Sequence, residues 1–80
     1  MQSIPIAKAR PGSFRISGIL LPAREAERLS DLGLRVGGEI RLLQNRGDGG
    51  AVLAVGDARL AVDAATAAKV RVIFIKGEEA

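Results

Sequence analysis

The stretch LSDLGLRVGGEI, residues 29–40, places a helix end, a glycine stop and a strand start next to one another. Ala26, Leu29 and Leu32 share one helical face, and Gly33 stands where a left-handed residue ends a helix. A helix with so small an apolar face is not stable alone, so we expect it to close one end of a larger body. The residues after it have the pattern of short strands separated by glycine turns. The combination predicts a small β-barrel with a helical plug, which is more typical of a binding module than of an enzyme.

The two-residue and helical periods place the remaining elements along the chain. We predict strands at 13–21, 39–44, 51–55, 58–62 and 70–75, a helix at 22–32 and a helical turn at 64–68. Gly18 inside the first strand predicts a bend or bulge. Five short strands with one helix predict a mainly β fold, a half-open barrel of the SH3 kind. An open sandwich or an OB-type barrel ranks second.

The same alternation predicts which apolar side chains form the core. They are Ile6, Phe14, Ile16, Leu29, Leu32, Ile40, Leu42, Leu53, Val55, Leu60, Val62, Val70 and Val72. The chain has 80 residues, enough for one domain spanning 1–80. Its polar end, residues 76–80, is expected to fray.

The residue inventory argues against several functions. Histidine, cysteine and tyrosine are absent, so the commonest general base and the most reactive nucleophile are missing. Without imidazole or thiolate, only hard cations could find ligands. We therefore expect no catalytic, cofactor or metal site, and no enzyme activity. With Phe14 and Phe74 as the only aromatic residues, nucleic acid is an unsuitable partner.

The amino terminus lacks the pattern of a secretory signal, and no apolar run approaches the ~18 residues that cross a bilayer. The absence of cysteine also fits the cytoplasm. We expect a cytoplasmic protein that does not span a membrane.

Two surfaces are candidates for binding. Alternation places Arg15, Arg41, Arg59 and Arg71 on the outer wall, where they could dock an acidic protein or anionic lipid, or simply keep the strands soluble. The second surface is apolar: it comprises residues 19–22, which lead into the helix, and Ile73 and Ile75 in the last strand. These residues either complete the packing or form a docking patch for a partner or for a second copy in a weak homo-oligomer.

The sequence RLSDLGLRVG, residues 28–37, resembles the signature of FeoA, the small cytosolic protein of bacterial ferrous iron uptake. The turn Arg10-Pro11-Gly12 before the first strand and the segments 60–62 and 70–72 resemble the opening and ending of that family. The resemblance implies an SH3-like barrel that binds or regulates FeoB, the membrane ferrous iron permease with a cytosolic GTPase domain. A related domain ends the iron-dependent repressors.

We expect the helix and its flanks to bind the partner, with arginines providing orientation and leucines providing buried area. The candidate residues are Leu20, Leu21, Arg24, Arg28, Leu34 and Arg35. Docking on FeoB would recruit the chain to the inner face of the cytoplasmic membrane. The alternatives are a metal-ion sensor or carrier domain like that of the repressors, and an adaptor for another membrane complex.

Overall fold

The computed structural model describes residues 2–77. The strands are β1 (Ser3–Pro5), β2 (Gly12–Ile19), β3 (Glu39–Asn45), β4 (Ala51–Val55), β5 (Ala58–Val62) and β6 (Val70–Gly77). The helices are α1 (Ala23–Asp31) and α2 (Ala64–Lys69), with one 3₁₀ turn at Ile6–Lys8. The fold is mainly β as predicted, and all five predicted strands are present.

All neighbouring strands are antiparallel, and their order is β1-β6-β2-β3-β4-β5. The sequence did not predict β1, because three residues that include Pro5 show no period-two pattern. This strand forms by pairing with β6, with Ser3 opposite Ile73 and Pro5 opposite Arg71. Because β1 is an edge strand, a residue without an N–H is tolerated there.

The predicted irregularity at Gly18 is confirmed. The register between β2 and β6 shifts between Ile16 and Gly18, which is the signature of a bulge. The predicted two-residue connection between β4 and β5 is also confirmed, because Val55 lies directly opposite Ala58. Short strands, tight turns and bulges let a chain of this length curve a sheet around its core.

The core matches most of the predicted set. The residues predicted and found buried are Ile6, Phe14, Ile16, Ile40, Leu42, Leu53, Val62, Val70 and Val72. Four further buried apolar residues, Ala9, Leu34, Ala51 and Ala67, were not in the predicted set. Three of them are alanines, whose small side chains give a weak hydrophobic signal in a sequence.

Four core assignments were wrong. Leu29, Val55 and Leu60 are only half-buried and pack against the margin of the core. Leu32 is 53 % exposed, because the chain turns at Gly33 and it is Leu34 that enters the core. The predicted frayed end was wrong for Lys76 and Gly77, which belong to β6, and residues 78–80 lie outside the described residues.

The prediction that the first helix plugs the barrel was also wrong. No residue of α1 is buried. The helix that covers the core is α2, whose Ala67 is fully buried and which packs against the 3₁₀ turn, β1 and β6. Helix α1 lies at the surface, and of its residues only Leu29 packs against the core margin.

Candidate partner-binding surface

Backbone chemistry at both ends fixes the position of α1. Pro22 has extended dihedral angles (φ −55°, ψ 153°), so the helix begins at Ala23, one residue later than predicted. At the other end Gly33 has φ +97°, a conformation that favours glycine and stops the helix. The chain therefore presents a short helix of defined length on the surface.

The structure brings most of the predicted binding residues to this helix and its flanks. Leu20 is 60 % exposed, Leu21 is half-buried, and Arg24, Arg28 and Arg35 are exposed. These residues lie immediately before, along and after α1.

Leu34 does not belong to this surface. Its side chain has no exposed area, so it cannot contact a partner in this conformation. The sequence placed it there because it follows the glycine stop, but the turn directs it into the core.

Two apolar residues outside the predicted partner-binding set are exposed there. Leu32 is 53 % exposed at the C-cap of α1, and Val36 is 61 % exposed in the following loop. Together with Leu20 they place large apolar side chains at both ends of the helix. Exposed apolar side chains at both ends of one element make that element a candidate interaction site.

A groove of about 260 Å³ separates α1 from the start of α2. Its lining residues are Leu21, Glu25, Arg28, Leu29, Asp63, Ala65 and Thr66. Glu25, Arg28 and Leu29 have the helical spacing of a single face of α1, and Leu32 continues that face. The α2 side of the groove was not foreseen, since nothing local in a sequence predicts which helix lies beside which.

Asp63 keeps a negative charge at the edge of the groove. The backbone N–H of Thr66 donates to Asp63 Oδ1 across 2.8 Å, which caps the start of α2. This hydrogen bond lowers the pKa of Asp63 below its ordinary value of 3.8. The carboxylate is therefore ionised at neutral pH.

Two of the four arginines predicted on the outer wall bind other parts of the chain. Arg71 donates to the Ser3 carbonyl oxygen (2.6 Å) and to Ser3 Oγ (3.1 Å), which ties β1 to β6. Arg15 donates to the Gly37 carbonyl oxygen across 2.9 Å and lies 4.0 Å from Glu39. These two arginines therefore have structural roles within the chain.

Within residues 2–77, no group of three or more acidic residues is placed to hold a metal ion. In the same range, no helix is long and apolar enough to cross a bilayer.

One family model matches most of the chain. The model of the FeoA domain matches residues 4–73. No curated protein matches the chain.

Solved structures share the fold. A crystal structure of an iron uptake regulatory protein, FeoA, has a TM-score of 0.81 and 25 % identity, and the match covers 94 % of this chain and 100 % of that one. The FeoA protein of Chlorobium tepidum has a TM-score of 0.80 and 18 % identity over 95 % of this chain and 74 % of that one. The metal-dependent transcriptional regulator MtsR has a TM-score of 0.80 and 20 % identity over 90 % of this chain but 36 % of its own.

These likenesses confirm the SH3-like fold expected from the sequence. Since the family model covers most of the residues, this chain belongs to the FeoA domain family.

Proposed function

We propose that the chain is an accessory module of ferrous iron uptake that docks through α1 on the cytosolic, GTPase-bearing part of the FeoB permease. Membership of the FeoA family supports the association with ferrous iron transport. The observation that carries the docking surface is that α1 contains no buried residue while large apolar side chains are exposed at both of its ends.

A short surface helix is normally stabilised by burying one apolar stripe against the rest of the protein. In this chain Leu29 is half-buried, and Leu20 and Leu32 stay more than half exposed. A partner that covers these leucines would remove apolar area from water and stabilise the helix at the same time. This accounts for an apolar surface that the chain itself does not cover.

Exposed arginines around α1 would orient the partner on this surface. Arg24 and Arg28 lie one turn apart on α1, and Arg35 follows in the loop, all exposed. Exposed arginines at the edge of an apolar patch steer association and select acidic partner surfaces, while the apolar centre provides most of the affinity.

The test is a binding measurement between the purified chain and the cytosolic part of the permease, with and without guanine nucleotide. Arg24→Glu combined with Arg28→Glu should weaken binding at least tenfold, because both orienting charges are reversed. The matched control is Arg10→Glu combined with Arg59→Glu, which makes the same change in net charge at exposed sites outside α1. Thermal unfolding of both variants should stay close to that of the native chain.

Full binding by a folded Arg24→Glu/Arg28→Glu variant would discard this surface. No binding by the native chain would discard the docking function.

A further inference from the structure

We infer that the groove between α1 and α2 receives one large apolar side chain of a partner helix, with a lysine or arginine of that helix one turn away. The inference rests on the proposed function for the identity of the partner, but the groove's own chemistry defines the occupant.

The size of the groove sets the first constraint. A volume of about 260 Å³ lies below the range of small-molecule pockets but is large enough to admit a whole aliphatic or aromatic side chain. Leu21, Leu29 and Ala65 provide the apolar part of the lining. Leu29 packs against the core margin, so its position is fixed before a partner arrives. A fixed apolar site reduces the ordering cost of binding.

The second constraint is charge. Glu25 and Asp63 lie on opposite walls of the groove, one on α1 and one at the start of α2, while Arg28 is the only basic residue in the lining. The lining thus has one negative charge in excess. An apolar side chain flanked by a basic residue complements this excess, whereas an acidic neighbour would meet two carboxylates beside the single guanidinium of Arg28. The acidic partner surface expected opposite Arg24 and Arg35 lies outside the groove, because neither arginine lines it.

The third constraint is continuity along α1. Leu32 lies one turn beyond Arg28 and Leu29 and is 53 % exposed. An apolar groove followed by a second apolar contact one turn along matches the spacing of anchors on an amphipathic helix. The second anchor of the partner helix would contact Leu32.

A direct test is an NMR titration, in which the amide resonances of the native chain are followed as each of three synthetic amphipathic peptides of equal length is added. The first has a leucine anchor with a lysine one turn away, the second replaces the lysine by glutamate, and the third replaces the leucine by alanine. The first should shift the resonances of Leu21, Leu29 and Ala65 at a concentration at least tenfold lower than the other two. Unmoved groove resonances, or equal shifts with all three peptides, would overturn the inference.

A steric variant tests the same site. Ala65→Leu fills the groove, and Ala68→Leu makes the same change on an exposed position of α2 that does not line it. Leucine is a good helix former, so both variants should fold. Ala65→Leu should abolish binding of the first peptide and Ala68→Leu should preserve it. Retained peptide binding by Ala65→Leu would overturn the inference.

Glu25→Lys tests the charge of the groove. In this variant the binding preference should move from the lysine peptide toward the glutamate peptide. An unchanged preference would contradict the assigned role of Glu25.

The two proposals fail separately. If the native chain binds the first peptide but not the permease, the docking function is wrong and the groove assignment stands. If the permease binds while the peptides leave the groove unmoved, the groove assignment is wrong and the docking function stands.

Discussion

The backbone N–H of Leu34 donates to the carbonyl oxygen of Leu29 across 2.8 Å and joins the end of α1 to the core. The N–H of Gly33 donates to the Ser30 carbonyl oxygen across 2.9 Å. This pair of bonds is the Schellman arrangement, in which a left-handed residue reverses the chain after a helix. The reversal buries Leu34 completely and leaves Leu32 on the surface beside the groove.

Replacing Gly33 by alanine should destabilise the fold more than the same change at Gly37. Both glycines have positive φ, +97° and +89°, which strains any residue with a Cβ. At Gly33 the added Cβ would also lie 2.8 Å from Val55 Cγ1, whereas at Gly37 it meets open space. We expect Gly33→Ala to lower the free energy of unfolding by about 2 kcal/mol or more. The loss for Gly37→Ala should be about 1 kcal/mol smaller than that. Urea unfolding measures both, and equal losses would contradict the close packing of Val55 on Gly33.

Two leucines only two residues apart should respond very differently to truncation. Leu34→Ala removes a fully buried side chain and should cost about 2–5 kcal/mol of unfolding free energy. Leu32→Ala removes one that is 53 % exposed and should change stability by less than about 1 kcal/mol. Leu32→Ala should instead weaken binding of the permease's cytosolic part. Similar unfolding midpoints for the two variants would show that the turn at Gly33 is misplaced.

Asp63 should stabilise the start of α2 in a pH-dependent manner. Its pKa is lowered in the folded chain by the hydrogen bond from the Thr66 backbone N–H, so the ionised form favours folding. The contribution is fully present above the ordinary value of 3.8 and is lost as pH falls through the lower pKa of the folded state. Asp63→Ala should therefore be less stable than the native chain at neutral pH, and the difference should shrink in strong acid.

Thermal unfolding from pH 7 down to pH 2 checks this, with Asp63→Asn as the control, because asparagine caps a helix without titrating. A stability difference between the native chain and Asp63→Asn that does not change with pH would contradict the role of the carboxylate.

Arg71 should hold β1 on the sheet. Its guanidinium donates to both the carbonyl and the hydroxyl oxygen of Ser3, and the Ser3 hydroxyl lies 2.9 Å from Ser17 Oγ on β2. Arg71→Ala removes these donors and should cost about 1–2 kcal/mol, felt first in β1. Hydrogen exchange at the Ile4 amide should accelerate in this variant and stay unchanged in Arg59→Ala, whose side chain is exposed on β5. Unchanged exchange in Arg71→Ala would show that backbone pairing alone holds β1.

Local patterns predicted the parts of the fold that depend on neighbouring residues. The bounds of β4 and β5 and the bulge at Gly18 followed from alternation and from glycine positions. The end of α1 at Gly33 followed from the ability of glycine to adopt a positive φ. The failure at β1 has a different cause, since β1 exists only because the β6 edge is present to pair with it.

The candidate surface divides in the same way. Leu20, Arg24 and Arg28 could be read from the sequence because helical spacing and helix bounds are local properties. The groove could not be predicted from the sequence, because Glu25 and Asp63 lie far apart in the chain and line one groove only in the folded structure. Sequence by itself determined strands β2 to β6 and the helix α1 with its end, since those are set by the conformations open to adjacent residues. Tertiary structure decided which helix covers the core and which leucine stays exposed, since burial depends on packing between distant segments.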